Sequence, residues 1–270
     1  MSSSKQIKPT NIFKAVTNSA YHFKFMIDLL RNNLKTASFR LSKKGITLRM
    51  MDTYETICFD INLEADKFIS YKFKSEPITI GLNLSQLTTI LKPIKKNDSI
   101  SLFIKSNSKH SLGVSIIPKD NNQKITSNIH ILDVQDIDID LPDGYTDFIT
   151  LKSNFTKMCK GMSKINNILN VEATASTVRF MSGDGILDRT DEYGSKDSDD
   201  DDSDDDEIIF DQEFFIDQFL KITKISGLGN TIKLYACNNN KPLLLKTILG
   251  CGLGSVSVYI KSKKMIENKY

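Results

Sequence analysis

The sequence predicts a β-rich α+β fold built from two copies of one domain, on three observations. The first half of the chain is echoed in the second at a constant offset of 132 residues. Phe23 and Met26 return as Phe155 and Met158, and Ile46-Thr-Leu48 with Asp52 returns as Val178-Arg-Phe180 with Asp184. Leu84, Leu87, Ile90 and Lys92 return as Ile216, Phe219, Ile222 and Lys224, Ile100-Ser-Leu-Phe103 as Ile232-Lys-Leu-Tyr235, and Lys109 as Lys241. A fixed offset across a half-chain marks a duplication. The second observation is that each half carries two amphipathic helical stretches among short alternating strands. The third is the acidic alternation Ile131–Tyr145 between the halves, which ends in a Pro-Asp-Gly turn signal. At 270 residues each copy is large enough to bury its own core. The division is a loose tail 1–11, a first domain 12–130, a connector 131–145, a second domain 146–264 and a tail 265–270.

The elements follow in order. From Asn18 or Ser19 as N-cap, Phe23, Met26, Ile27, Leu30 and Leu34 keep the spacing of one helical face. The other face holds Lys24, Asp28, Arg31 and Lys35. Strands are expected at Thr36–Leu41, Ile46–Met50, Glu55–Leu63 and near Lys67–Phe73, and Ser75-Glu-Pro77 breaks the sheet. A helix over Ser85–Leu91 turns Leu84, Leu87 and Leu91 inward and stops at Pro93, where Lys92, Lys95 and Lys96 crowd its end. Strands Ser99–Lys105, Ser111–Pro118 and Lys124–Leu132 close the first copy.

In the second copy Ser153 caps a helix with Phe155, Met158, Cys159 and Met162 inward and Lys157, Lys160 and Lys164 outward. Strands Leu169–Ala173 and Val178–Ser182 come next, then strand-like Gly185–Arg189 and Ile208–Phe210 on either side of an acidic run. A fourth helix, about Glu213–Ile225, places Phe215, Phe219 and Ile222 inward and Lys221 and Lys224 outward, and ends at Gly227 and Gly229. Strands Thr231–Cys237, Pro242–Leu249 and Ser255–Lys261 finish the copy.

Charge narrows the function. Ser195–Glu207 holds nine acidic residues and one lysine, a net of −8 in a chain of net +3, which leaves +11 on the rest. Such a run is expected to be a disordered loop. It lacks the spacing of an EF-hand calcium loop. A basic body, with Lys or Arg dominating the polar face of all four helices, suits a polyanion held through phosphate contacts without sequence preference. The lack of regular aromatic interleaving disfavours single-strand stacking.

Cys58, Cys159, Cys237 and Cys251 are scattered and His22, His110 and His130 are isolated, so no zinc site, metal or cofactor is expected. Gly250-Cys-Gly-Leu-Gly254 lies between strands, which makes it a turn and not a dinucleotide fingerprint. No nucleophile–base pair or catalytic motif occurs, and a non-enzyme is expected. No membrane span or signal core appears, so an intracellular protein is expected.

Gly45-Ile-Thr-Leu-Arg-Met-Met-Asp52, Gly81-Leu-Asn-Leu-Ser-Gln-Leu-Thr-Thr-Ile-Leu-Lys92, Leu132-Asp-Val with Ile139-Asp-Leu-Pro142, Phe155-Thr-Lys-Met-Cys-Lys160 and Lys241-Pro-Leu-Leu-Leu245 resemble the proliferating cell nuclear antigen family of sliding clamps. The likeness runs from about Ile12 to Glu267, in order. It implies the DNA clamp fold: a ring of three subunits with helices lining a central channel and sheets outside. By that resemblance Lys24, Arg31, Lys92, Lys157, Lys160, Lys164 and Lys224 face double-stranded DNA. Ile131–Tyr145 becomes the interdomain connecting loop. Met51, Ile139, Leu141, Pro242 and Tyr259 become the pocket for the short helical peptide of DNA polymerase and other replication and repair clients.

The implied partners are also a clamp-loader ATPase and two further copies of the chain, with no membrane. The setting is nuclear, or a cytoplasmic replication site if the source is a large DNA virus rather than a protist. Asp217 and Ala175 depart from the family at a basic and a modifiable-lysine position, and the acidic loop is longer than usual. A monomeric DNA-binding processivity factor, or one subunit of a heterotrimeric checkpoint-type clamp, would present the same basic faces.

Overall fold

A computed structural model describes residues 10–119, 123–135, 137–151, 154–194, 207–250 and 252–268. The first half contains β1 (Asn11–Thr17), α1 (Ala20–Arg31), β2 (Thr36–Ser42), β3 (Gly45–Met51), β4 (Ile57–Glu64), β5 (Ser70–Phe73), β6 (Ile78–Asn83), α2 (Leu84–Leu91), β7 (Ser99–Lys105), β8 (Ser108–Ile117) and β9 (Ile125–His130). Phe23, Met26, Ile27 and Leu30 on α1 are all buried, as their spacing requires. Ser19 stands at the N-cap of α1 but makes no side-chain cap bond. At the N-terminus of α2 the Asn83 side chain accepts from the Gln86 N–H at 3.0 Å. Pro93 follows the end of this helix, as expected.

The second half contains β10 (Ile149–Leu151), α3 (Phe155–Met162), β11 (Ile168–Ala173), β12 (Thr177–Gly183), β13 (Asp188–Gly194), β14 (Phe210–Phe215), α4 (Ile216–Ile222), β15 (Ile232–Tyr235), β16 (Leu243–Ile248), β17 (Gly254–Ile260) and α5 (Lys263–Glu267). The duplication is visible residue by residue. β11, β12, β14 and α4 begin 132 residues after β2, β3, β6 and α2. The echo of Asp52 in Asp184 also has a physical reason. Each carboxylate closes the turn after its strand, Asp52 accepting from the N–H of Thr56 and Ile57 and Asp184 from those of Ile186 and Leu187.

Several elements differ from the sequence expectation. β1 begins inside what patterning left as tail and connection, and its Phe13 and Ala15 are core residues. β6 starts directly after Pro77 and runs along a sheet edge, where a proline at the strand start costs no ladder bond. The fourth helix is shorter than expected. Glu213 and Phe215 belong to β14, Phe215 is 37% exposed rather than inward, and after Ile222 the chain tightens into a 3-10 segment, Thr223–Gly227. α5 was not anticipated. The N-terminal tail through residue 9, Asp136, Ser153 as helix cap, positions 195–206 of the acidic run, Cys251 and residues 269–270 lie outside the described residues.

Three sheets result, ordered β5-β1-β7-β8-β9, β10-β15-β16-β17-β4-β3-β2-β6 and β13-β12-β11-β14. The eight-stranded sheet joins the halves through β17 and β4, antiparallel from Gly254↔Leu63 to Ile260↔Ile57. Its inner rows, such as Leu48, Ile61 and Val256, belong to a continuous apolar core with the buried sides of the helices. The helices form a layer of their own. α1 packs on α2 and on the 3-10 segment after α4, and that segment packs on α3. The Asn33 side chain donates to the Lys221 carbonyl at 3.3 Å, which ties the two halves of this layer together.

Candidate functional site

The helix layer presents cations to solvent. Arg31, Lys92, Lys95, Lys96, Lys157, Lys160, Lys164 and Lys224 are exposed. Several of these cations stand just past a helix end rather than inside the helix. α2 has no basic residue inside it, and its lysines gather just past its C-terminus, where they complement the helix dipole. Lys164 stands past the end of α3, and Lys224 on the 3-10 segment. Lys24 is already engaged: its ammonium donates to the carbonyls of Lys92 at 2.9 Å and Ile94 at 3.4 Å, satisfying the end of α2. Lys224 lies over the Phe25 ring at 5.5 Å and Lys221 over Tyr54 at 5.8 Å, contacts that fix both heads without neutralising them. Asp217, exposed in the first turn of α4, and Asp28 on α1 are acidic exceptions on this layer.

The opposite face of the eight-stranded sheet carries a row of apolar side chains. Residues paired directly across strands project to the same face. The pairs Met51↔Cys58, Cys58↔Tyr259, Tyr259↔Leu244 and Leu244↔Tyr235 therefore line up one row over five strands. Cys58 is 6% exposed and Leu244 5%, yet neither belongs to the continuous core, so outer-face neighbours cover them. Burial accordingly pushes the Cys58 thiol up to about 11. Two positions along the same face runs a second row, Arg49, Asp60, Ser257, Lys246 and Lys233.

The connector crosses this face. It starts with a bridge to the β6 edge, where Leu132 and Gly81 exchange backbone hydrogen bonds of 2.8 and 3.1 Å. Gly81 leaves room for it, since a Cβ there would meet Val134 at 2.4 Å. Arg49 then holds it, with one nitrogen on the Ile139 carbonyl at 3.0 Å and another on Asp60 at 3.0 Å. The expected turn is present, with Gly144 at φ +67°. Lys241 donates to the Asp143 carbonyl at 2.7 Å. Tyr145 closes the connector: its hydroxyl donates to the Pro242 carbonyl at 2.7 Å and its ring packs edge-on against Tyr259. Burial raises the Tyr145 hydroxyl far above its ordinary range.

The five expected pocket residues thus fall into two groups. Met51 and Ile139 line an open groove of about 900 Å³ with Arg40, Arg49, Met50, Thr53, Glu55, Ile137 and Asp138. Pro242 and Tyr259 stand farther along the apolar row under Tyr145, and half-buried Leu141 lies on the connector between them. Sequence reasoning missed Tyr145, Cys58, Leu244 and Tyr235. The spacing of strands β15 to β17 held the signal for the last two. Among the described residues no cluster of His, Cys, Asp and Glu could hold a metal ion.

Residues 12–142 match the family model described as Proliferating cell nuclear antigen, N-terminal domain. The DNA polymerase sliding clamp of Pyrococcus furiosus is 30% identical over 131 residues, 48% of this chain and 50% of that protein. The chain thus spans about half the length of the archaeal relatives it matches. The proliferating cell nuclear antigen of Caenorhabditis elegans is 24% identical over 84% of this chain and 89% of its own. The structure of Proliferating Cellular Nuclear Antigen from Entamoeba histolytica shares the fold, with a TM-score of 0.80 at 20% identity over 94% of this chain and all of that one. Residues 12–142 thus belong with the N-terminal domain of the proliferating cell nuclear antigen family of sliding clamps, and the whole duplicated chain, with basic helices on one side and a connector-roofed apolar row on the other, shares that fold and is similar to the family as a divergent relative.

Proposed function

We propose that three copies of this chain close head to tail into a ring around duplex DNA and tether DNA polymerase and other client proteins through the outer groove. The observation that carries this is a pair of free strand edges. Inside the chain β17 pairs with β4. Their counterparts in the duplication are β9 and β13, each an outermost strand of its sheet. A head-to-tail contact that uses each edge once generates a ring when the rotation closes. Transferring the register of the internal joint sets Ile129 opposite Leu187, Ile125 opposite Asp191 and Lys124 opposite Glu192. Leu187 at 56% and Ile125 at 37% exposure are apolar groups such a joint would cover.

In the ring the helix layer faces inward, with Arg31, Lys92, Lys157, Lys160, Lys164 and Lys224 toward the phosphates and Lys24 bracing α2. Contacts of this kind leave the clamp free to slide. Processivity then comes from topology and from the effective concentration of a tethered enzyme. A clamp-loader ATPase opens and seats the ring. Light scattering at micromolar concentration checks closure, a trimer being expected and a stable monomer excluding a self-closed ring. Loaded protein should stay on closed circular DNA and run off once the circle is linearised. Equal retention on both would favour a monomeric DNA-binding processivity factor.

A further inference from the structure

The second row of the outer face carries a charge imbalance that neither the channel nor the apolar row uses. Lys233 and Lys246 are directly opposed across β15 and β16. Like charges in that position repel. Among the described residues no carboxylate pairs with them: Asp60, in the same row, is held by Arg49 at 3.0 Å, and Asp147 accepts from its neighbour Thr146. Lys233 rests instead on the Phe148 ring, 3.8 Å from its centroid, and that ring is 44% exposed. Phe148 in turn packs against Tyr235, the end of the apolar row, at 5.5 Å between centroids. The cationic pair is therefore continuous with the row on which a client peptide would lie. It faces away from the helix layer, and so away from DNA.

We propose that Lys233 and Lys246, with the Phe148 ring beside them, form an extension of the docking site that takes a carboxylate-rich flank of the client segment. This rests on the client-docking reading above. At the other end of the row the connector presents Asp138 and Asp140, both exposed, so the site is electrically polar along its length. It fixes which way an acidic-flanked segment runs. Complementary charge sets orientation and selects partners more than it adds affinity.

The test uses the full chain and a short labelled helical peptide carrying apolar anchors for the row. Glutamates, serines or lysines are placed at either end in turn, and binding is read by fluorescence anisotropy. The glutamate-flanked peptide is expected to bind about tenfold tighter than the serine-flanked one in a single orientation. That advantage should vanish in K233Q/K246Q and pass to the lysine-flanked peptide in K233E/K246E, with serine-flanked binding unchanged in both. Equal affinity of the glutamate and serine peptides for the natural chain overturns the proposal, as does an advantage that survives K233Q/K246Q. A loss of duplex DNA retention in K233Q/K246Q would assign the pair to DNA instead. A rise in glutamate-peptide affinity on changing Asp199–Asp202 and Asp204–Asp206 to serine would assign it to the chain's own acidic run. Failure of the serine-flanked peptide to bind at all sinks the docking reading, which separates that failure from this one.

Discussion

The joint inside the chain and the pair of edges left free are built from the same strands, yet their outer faces differ. Across the internal joint the row reads Met51, Cys58, Tyr259, Leu244, Tyr235. At the corresponding positions of β12, β13, β9, β8 and β7 it reads Gly183, Asp188, Asn128, Gly113, Phe103. Two glycines, an amide and a carboxylate have replaced the apolar floor. The Phe103 ring lies across Gly113, where a Cβ would come within 2.2 Å of it. Duplication therefore gives the internal joint and the free edges the same strand backbone, while five side chains in one row set the two outer faces apart. The docking proposed above would then depend on that row and not on the fold.

The largest effect should come from breaking the free joint while the internal one stays intact. Leu187→Asp places a carboxylate opposite Ile129 and beside the acids of β13. Trimer affinity should fall on the order of 100-fold, about 2.8 kcal/mol, by light scattering across a dilution series. Because Leu187 is exposed in the single chain, its thermal midpoint should hold. An unchanged trimer would remove the transferred register.

The turn carboxylates sharpen the comparison next. Asp52 is 4% exposed and its carboxylate takes two backbone donors and the Thr56 hydroxyl. Asp52→Ala strands those donors and should cost roughly 2 kcal/mol in urea unfolding. Asp184→Ala, on the exposed counterpart, should move the midpoint measurably less.

On the docking face, Ile139→Ala with Leu141→Ala should weaken a client peptide by at least ~1 kcal/mol in calorimetry. The same peptide should show no measurable affinity lost when Phe103 is changed to Ala, because the Gly183-to-Phe103 row at the free edges offers it no floor.

The smallest effect is a pH dependence. The N–H groups of Leu187 and Ile186 hold the Asp184 carboxyl below its ordinary range. A depressed folded value means its contribution is complete above the ordinary carboxylate range and lost as pH falls below it. Asp184→Asn should therefore lower the urea midpoint at neutral pH and converge with the natural chain in strong acid.

Much of this was legible in the residues. The helix faces of α1 and α3 and the offset of 132 are matters of local periodicity, and they persist because each copy must bury the same stripe. β1 and β6 escaped because their identity depends on neighbours: β1 is pinned between β5 and β7, and β6 is an edge whose far side meets the connector. Helix four was overextended because Phe215 fits a helical spacing, whereas pairing with Ile168 holds it in a strand. Met51 and Ile139 could be placed on the groove by family likeness. Tyr145 could not be read from pattern, since its partners Pro242 and Tyr259 lie about a hundred residues away and meet it only once the second half has folded.

The internal joint also has a mechanical meaning. Seven residues of β17 pair with seven of β4 without a register break, so the two halves share one girder eight strands wide. The helix layer is stitched across the same line by Asn33 and Lys221. The ring proposed above would join three such girders at three seams. Opening such a ring for DNA would then mean peeling a single seam rather than bending any chain. In that reading a loader would act at one seam, and the groove on the girder would keep its shape whether the ring stood open or shut.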